Sequence, residues 1–300
     1  MAQGTEGRWE IRAGEDGYPP ALYDLASPPA VLYGIGDPGC LQAPCLGVVG
    51  ARRATPYGLS IASMCGRVAA EGGVCLVSGG AMGCDAAAGR AALAAGGKTV
   101  VVSGCGADQV YPSDSRDVYE GAVASGGAVV SAERWGAGPR RWAFPKRNSL
   151  IAALSRVLIV TEAGARSGTM GTADAAIELG RSLYAVPGSI FSANSRGTNS
   201  LIADGARIIP DEESLALSIS LDFGFLLLRD SATPQKTGPV MAALLASPLR
   251  PDELASSLGE DVLGMLRVLA DYEARNLVER LPDGRYCPSE AYLLGHNRSS

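Results

Sequence analysis

Three observations predict an α/β fold: a doubly wound parallel sheet with a small C-terminal winged-helix domain. Short, nearly continuous apolar runs recur between residues 46 and 210, each ending in a turn and most followed by a segment of helix length. Such runs suit strands buried on both faces of a parallel sheet, with helices as the crossovers. Beyond residue 236 the pattern changes to three helical segments and a hairpin signal. The chain is 47% hydrophobic and 19% charged, ample for a sizeable core, which excludes a mainly disordered protein.

Residues 1–45, rich in proline and glycine, read as an irregular leader packing on the main domain, with one short strand in PAVLYGIG. The main domain, 46–212, opens with LGVVG (46–50) and a helix over 57–71. VCLVSGG (74–80) leads to a helix over 84–95, KTVVVSG (98–104) to one over 113–125, and AVVSAE (128–133) is the fourth strand. A helix over 148–155 precedes RVLIVTE (156–162), and one over 172–181 precedes SLYAVPG (182–188); ARIIP (206–210) is a seventh strand. Right-handed crossovers make the sheet doubly wound and collect its ligand-binding turns at the strands' carboxyl ends. Residues 213–236 read as a linker. The winged-helix-like domain, 237–291, holds three helices (TGPVMAALLAS, RPDELASSLG, EDVLGMLRVLADYEARN) and two strands around a Pro-Asp-Gly turn, and 292–300 is a polar tail.

The net charge of −5 argues against wholesale electrostatic capture of DNA or membranes, yet the acidity is local. Residues 1–210 carry 18 basic and 17 acidic side chains, and 211–300 carry 8 and 14. Seven cysteines without CxxC spacing read as free thiols of a reducing cytosol, not disulfides or a zinc site. MAQGTEGRWEIR has no apolar signal region, and no run nears the roughly 18 apolar residues of a membrane span, so a cytoplasmic protein without a membrane partner is expected. The one histidine, His296, lies in the polar tail, which argues against histidine-based catalysis.

Three turns can hold anions. The first, VVGARR, exposes backbone N–H groups beside Arg52 and Arg53, a setting that favours phosphate; it is not GxGxxG, so a dinucleotide fingerprint is absent. In the second, Ser78-Gly79-Gly80-Ala81-Met82-Gly83, small residues let a ligand approach the backbone, or a strand and helix pack tightly. The third, Ser167-Gly168-Thr169-Met170-Gly171-Thr172, offers hydroxyls and amides to a phosphodiester but lacks a Walker A lysine. The segment 134–166 is the most informative: Arg134, Arg140, Arg141, Lys146, Arg147, Arg156 and Arg166 stand against a single acid, Glu162. Trp135, Trp142 and Phe144 are interleaved with them. Cations that pair with phosphates and rings that stack on bases mark a single-strand groove; a loop anchored to the core by its aromatics is the plainer reading. Asp85, Glu162 and Asp174 lie near the turns at positions that suit structural roles.

Seven ordered blocks carry a family resemblance: GYPPALYDLASPPAVLYGIG, VVGARRATPYG, VSGGAMGCDAAAGRAAL, GKTVVVSGCGADQVYP, FPKRNSLIAALS, TEAGARSGTMGTADAAIELGR and VPGS…RGTNSLIADGA. Over residues 17–210 the chain resembles the DprA/Smf family of DNA-processing proteins. The resemblance implies an extended Rossmann-like, doubly wound domain in a non-enzymatic, single-stranded-DNA-binding homodimer without a cofactor, which partners the RecA recombinase and loads it onto DNA taken up in natural transformation. It aligns Arg52 with the phosphate-binding arginine after the first strand. Phe144, Lys146, Arg147 and Asn148 match the FPxRN block at the DNA pocket, and Gly79, Gly80, Ser167, Gly168 and Thr169 match turns lining it. Ala51 stands where a serine is usual, Gly89 where a histidine is usual and Ser149 where an arginine is usual. These departures bear on DNA affinity more than on fold. The family's helical N-terminal domain has no counterpart in residues 1–45.

Two other readings compete. A nucleoside monophosphate phosphoribohydrolase of the lysine-decarboxylase-like type carries PGGxGTxxE, but here the proline position is Ser167 and the catalytic glutamate position is Ala175. A winged-helix regulator of duplex DNA needs a basic third helix, whereas residues 259–275 hold four acids and two bases, which suits a protein-contact role.

Overall fold

The computed structural model describes residues 7–224 and 238–293, which form two compact units divided between those segments. The first unit is built on nine strands: β1 (Arg8–Arg12), β2 (Val31–Gly36), β3 (Cys45–Val49), β4 (Leu76–Ser78), β5 (Thr99–Val102), β6 (Ala128–Ser131), β7 (Ser155–Val160), β8 (Ser182–Ala185) and β9 (Arg207–Ile208). Their order across the sheet is β1-β2-β6-β5-β4-β3-β7-β8-β9, parallel from β6 to β9 and antiparallel at β1 and β2. Seven helices surround it: α1 (Pro56–Glu71), α2 (Cys84–Ala94), α3 (Arg116–Ala124), α4 (Ala143–Leu154), α5 (Gly168–Glu178), α6 (Arg196–Ala203) and α7 (Glu212–Phe223).

The apolar strands form a sheet with two covered faces. In β3, Cys45 and Val49 join a cluster that includes Leu150 and Ile151 of α4 and Ala173 of α5, while Leu46 and Val48 join Ala62 of α1, Cys84 of α2 and Leu215 of α7. Burying each such valine or leucine contributes about 1.5–3 kcal/mol. Burial also pushes the Cys65 and Cys84 thiols up to about 12, so both pack as apolar side chains. β4, β5 and β6 follow outward on one side of β3, and β7, β8 and β9 on the other. The winding therefore reverses between β3 and β7, where open α/β sheets hold ligands.

Four expectations need correction. Residues 1–45 contain two strands, and the leader extends the sheet; Trp9 lies against Gly34, where any Cβ would strike its ring, and donates to the Gly36 carbonyl at 3.0 Å. α4 begins at Ala143, not residue 148, because a proline in the first helical turn removes only an N–H that has no intrahelical partner. α5 begins at Gly168, capped by Ser167, before any apolar periodicity appears. The supposed linker starts as α7, capped by Asp211 and anchored by Leu215 and Ile219 in the core, and the short α6 precedes β9.

The second unit contains α8 (Pro239–Ala246), α9 (Pro251–Leu258), α10 (Val262–Ala274) and the antiparallel pair β10 (Val278–Arg280) and β11 (Tyr286–Pro288). Its own core joins Val240, Leu244, Leu254, Met265, Leu269 and Tyr286. His296 and most of the tail fall outside the described residues.

Candidate nucleic-acid interface

The turns after β3, β4 and β5 meet the first turn of α4 at the carboxyl edge, next to the reversal point. A small open pocket lies there, lined by Arg52, Gly79, Met82, Tyr111, Phe144 and Arg147 among others. Because α4 starts before Phe144, Phe144 and Arg147 are one helical turn apart and share a face. The Arg147 guanidinium lies 5.8 Å from the centre of the Phe144 ring, and that of the exposed Arg52 lies 5.4 Å from it. Tyr111 packs against the same ring at 5.8 Å. Cations over an aromatic face attract it electrostatically while their remaining N–H donors stay free for other partners.

Arg147 is only 5% exposed. Its Nη1 donates to the Val102 carbonyl at 3.4 Å, and its Nε has no partner among the described residues. Burial pushes its pKa down and the nearby Asp85 charge opposes that shift. Asp85 is buried too; burial pushes its carboxyl up, opposed by Arg147 and by three backbone donors. Its Oδ1 accepts from the Gly50 amide at 3.4 Å and its Oδ2 from the Gly79 and Ala81 amides at 3.2 and 3.4 Å. The first two turns thus present amides that the sequence offers to an external anion, but an internal carboxylate takes them. Of the two arginines lining the pocket, Arg52 is the exposed one.

The third turn is likewise committed to the fold. The Ser167 hydroxyl caps α5 by accepting from the Thr169 amide at 3.2 Å, and it donates to Thr169 Oγ1 at 3.0 Å. Thr169 Oγ1 donates to the Gly50 carbonyl at 2.9 Å, and Asn148 Nδ2 donates to the Gly168 carbonyl at 3.1 Å. These three side chains fasten α4, α5 and the turn after β3 to one another. Glu162 Oε2 accepts from the Thr55 amide and hydroxyl at 3.0 and 2.9 Å, which fixes the start of α1.

The basic and aromatic segment divides. Arg147 and Phe144 enter the pocket wall, while Lys146 is exposed on another side of α4 with its Nζ 3.7 Å from Glu133. Trp135 anchors the loop to the sheet edge: its Nε1 donates to Glu10 at 2.6 Å and its ring meets Tyr33 edge-on at 5.5 Å. Arg156, on β7, stacks on Phe223 of α7. Trp142 stays exposed beside Arg140, and Arg53, Arg141 and Arg166 are exposed as well. Gly80 lies in the turn with φ +63°, its Cβ position filled by Val101 and Tyr119, so it shapes the backbone. Sequence reasoning missed Tyr111 and Met82; an aromatic in the loop after the third strand was the available signal for Tyr111.

No group of metal-ligating side chains occurs among the described residues, and none of their helices is long and apolar enough to cross a membrane. Comparison with known proteins matches residues 10–220 to the family model of DNA recombination-mediator protein A. A curated relative, Protein Smf of Synechocystis sp., is 36% identical over 228 residues, covering 74% of this chain and 56% of its own length. This chain therefore spans little more than half of that relative. The crystal structure of DNA processing protein A from Streptococcus pneumoniae is similar with a TM-score of 0.66 at 33% identity, covering 71% of this chain and 74% of that one. DNA processing protein A from Helicobacter pylori, described for its single-stranded DNA binding mode, gives a TM-score of 0.65 at 31% identity, covering 72% and 96%.

Proposed function

The chain belongs to the DNA recombination-mediator protein A family, the DprA/Smf proteins, and from that membership we propose that it binds single-stranded DNA along the carboxyl edge of its large sheet and loads the RecA recombinase onto it. One observation carries the reading: the Phe144 ring with the Arg52 and Arg147 guanidinium groups over it, at the edge where such sheets hold ligands. Cations take phosphates there and rings take unstacked bases, and this combination favours single strands over duplex. The relationship to the Helicobacter pylori protein supports the same substrate.

The protein acts without catalysis or a cofactor in this reading. The support is local: Asp85 is engaged by three amides, and Ala175 stands where the phosphoribohydrolases carry glutamate. It works in the cytoplasm as a homodimer, for which Ile208, Leu217 and Leu221 supply exposed apolar side chains on β9 and α7. The second unit serves as a winged-helix-like module for protein contacts, since the segment around α10 is acidic.

The test is fluorescence anisotropy of labelled oligo-dT against a matched duplex, titrated in salt. Salt-sensitive binding to the single strand alone is expected, followed by faster RecA assembly on that strand. Equal affinity for duplex, or release of free base from nucleoside monophosphates, would overturn the reading.

A further inference from the structure

We propose that Ile190 and Phe191 form a second nucleobase-stacking station on the path of the single strand, with Arg166 and Arg196 pairing with phosphates between it and Phe144. This inference rests on the reading of the carboxyl edge as a single-strand track.

Phe191 is 91% exposed and Ile190 76%, in the loop after β8 on the same edge as the pocket. The two apolar side chains are adjacent in sequence, and the loop that carries them is ordered by its own hydrogen bonds. Gly188 and Asn199 bond reciprocally, the Gly188 amide to Asn199 Oδ1 at 3.1 Å and Asn199 Nδ2 to the Gly188 carbonyl at 2.9 Å. The Ser189 hydroxyl accepts from the Phe191 amide at 3.3 Å, and the Ser192 amide donates to the Ser189 carbonyl at 3.0 Å. Loop and pocket are joined through packed structure. The Gly197 amide donates to Ala163, and a Cβ on Gly164 would lie 3.2 Å from the Ala193 carbonyl. The same turn leads to Gly168, which Asn148 binds from α4, one turn beyond Phe144.

Charge selects the ligand. Between Glu178 and Asp204 the chain carries no carboxylate, and Arg166 and Arg196 are exposed. Four strand spacings separate the turn after β5, where Phe144 packs, from that after β8, roughly 19 Å along the edge, a span of a few nucleotides. Aromatic and basic side chains at that spacing fit a single strand whose bases turn toward the protein one after another.

The experiment measures binding of oligo-dT of increasing length to the full chain and to Phe191→Ala, Phe191→Leu and Phe191→Trp. Alanine and leucine should weaken binding of long oligonucleotides roughly five- to tenfold and leave the shortest unaffected, whereas tryptophan should retain affinity and lose fluorescence as bases stack on it. Arg52→Ala should weaken every length. If Arg52→Ala weakens binding and Phe191→Ala changes no length, the second station is wrong and the single-strand reading stands. If the unaltered chain binds no single strand, both fall. If Phe191→Ala alters only the sedimentation of the protein, the loop is a self-association surface and the station is wrong.

Discussion

A Cβ on Gly79 would collide with Nη1 of Arg147 and stand 2.8 Å from Oδ2 of Asp85. The buried guanidinium occupies the space that any other residue at position 79 would need for its side chain. Gly79→Ala should therefore push Arg147 out of its seat and reproduce the DNA-binding loss of Arg147→Ala, although Gly79 bears no charge. Anisotropy of oligo-dT for the two variants checks this. Wild-type affinity in Gly79→Ala would show that the seat of Arg147 does not matter.

Asp85 holds the two strand-end turns together and faces the charge of Arg147. Asparagine keeps one acceptor oxygen where the carboxylate uses two, and its NH2 group must face an amide N–H. It also removes the carboxylate charge near Arg147. Leaving a buried N–H without its acceptor costs about 1–3 kcal/mol. Urea denaturation of Asp85→Asn should show a loss of that order, and a loss below about 1 kcal/mol would mean that the turns hold without it.

Between α2 and α3, Arg90 Nε and Nη2 bind both oxygens of Asp117 at 2.6 and 2.9 Å. The guanidinium bond holds the Asp117 carboxyl below its ordinary value. A lowered carboxyl contributes stability above its unfolded pKa, near 3.9, and that stability is lost as pH falls through the lower folded value. Both side chains are about half exposed, so solvent limits the contribution to about 0.5–1 kcal/mol. Arg90→Ala should lower the melting temperature slightly at pH 6, and the deficit should shrink as pH falls below the ordinary carboxylate range, where the bond of Arg90 Nη2 to the Asp114 carbonyl at 2.9 Å remains. A deficit that does not shrink on acidification would mean that the Asp117 charge contributes nothing.

The alternation of apolar runs and helices was legible because each parallel strand is buried on both faces and must be apolar throughout. β1 was not, since an edge strand pairs on one side and RWEIR lacks that constraint. The site was legible in its residue types and less so in their directions. FPKRN reads as a cluster of cations, yet a helix turns Arg147 and Lys146 to different sides. The glycine and hydroxyl turns look like open anion cradles because Gly50 meets Asp85 and Thr169 only in the fold, and nothing in the pattern shows that the Gly79 amide turns back onto Asp85. The Trp135 position depends on Glu10 and Tyr33, more than a hundred residues away.

The different directions of the cations give the last prediction. Each phosphate neutralised by a side chain releases counterions, so losing one contact reduces the slope of log affinity against log salt by about 0.7 for a single strand. Arg52, exposed over Phe144, should show the full reduction when replaced by alanine, with stability unchanged to within about 0.5 kcal/mol. Lys146 already faces Glu133, so Lys146→Ala should reduce the slope less. Arg156, stacked on Phe223, lies off the proposed track, and Arg156→Ala should leave the slope unchanged. Salt titrations of the three variants on one oligonucleotide rank the cations directly. Equal reductions for all three would mean that the strand is held by diffuse charge, and the pocket at Phe144 would then have no special role.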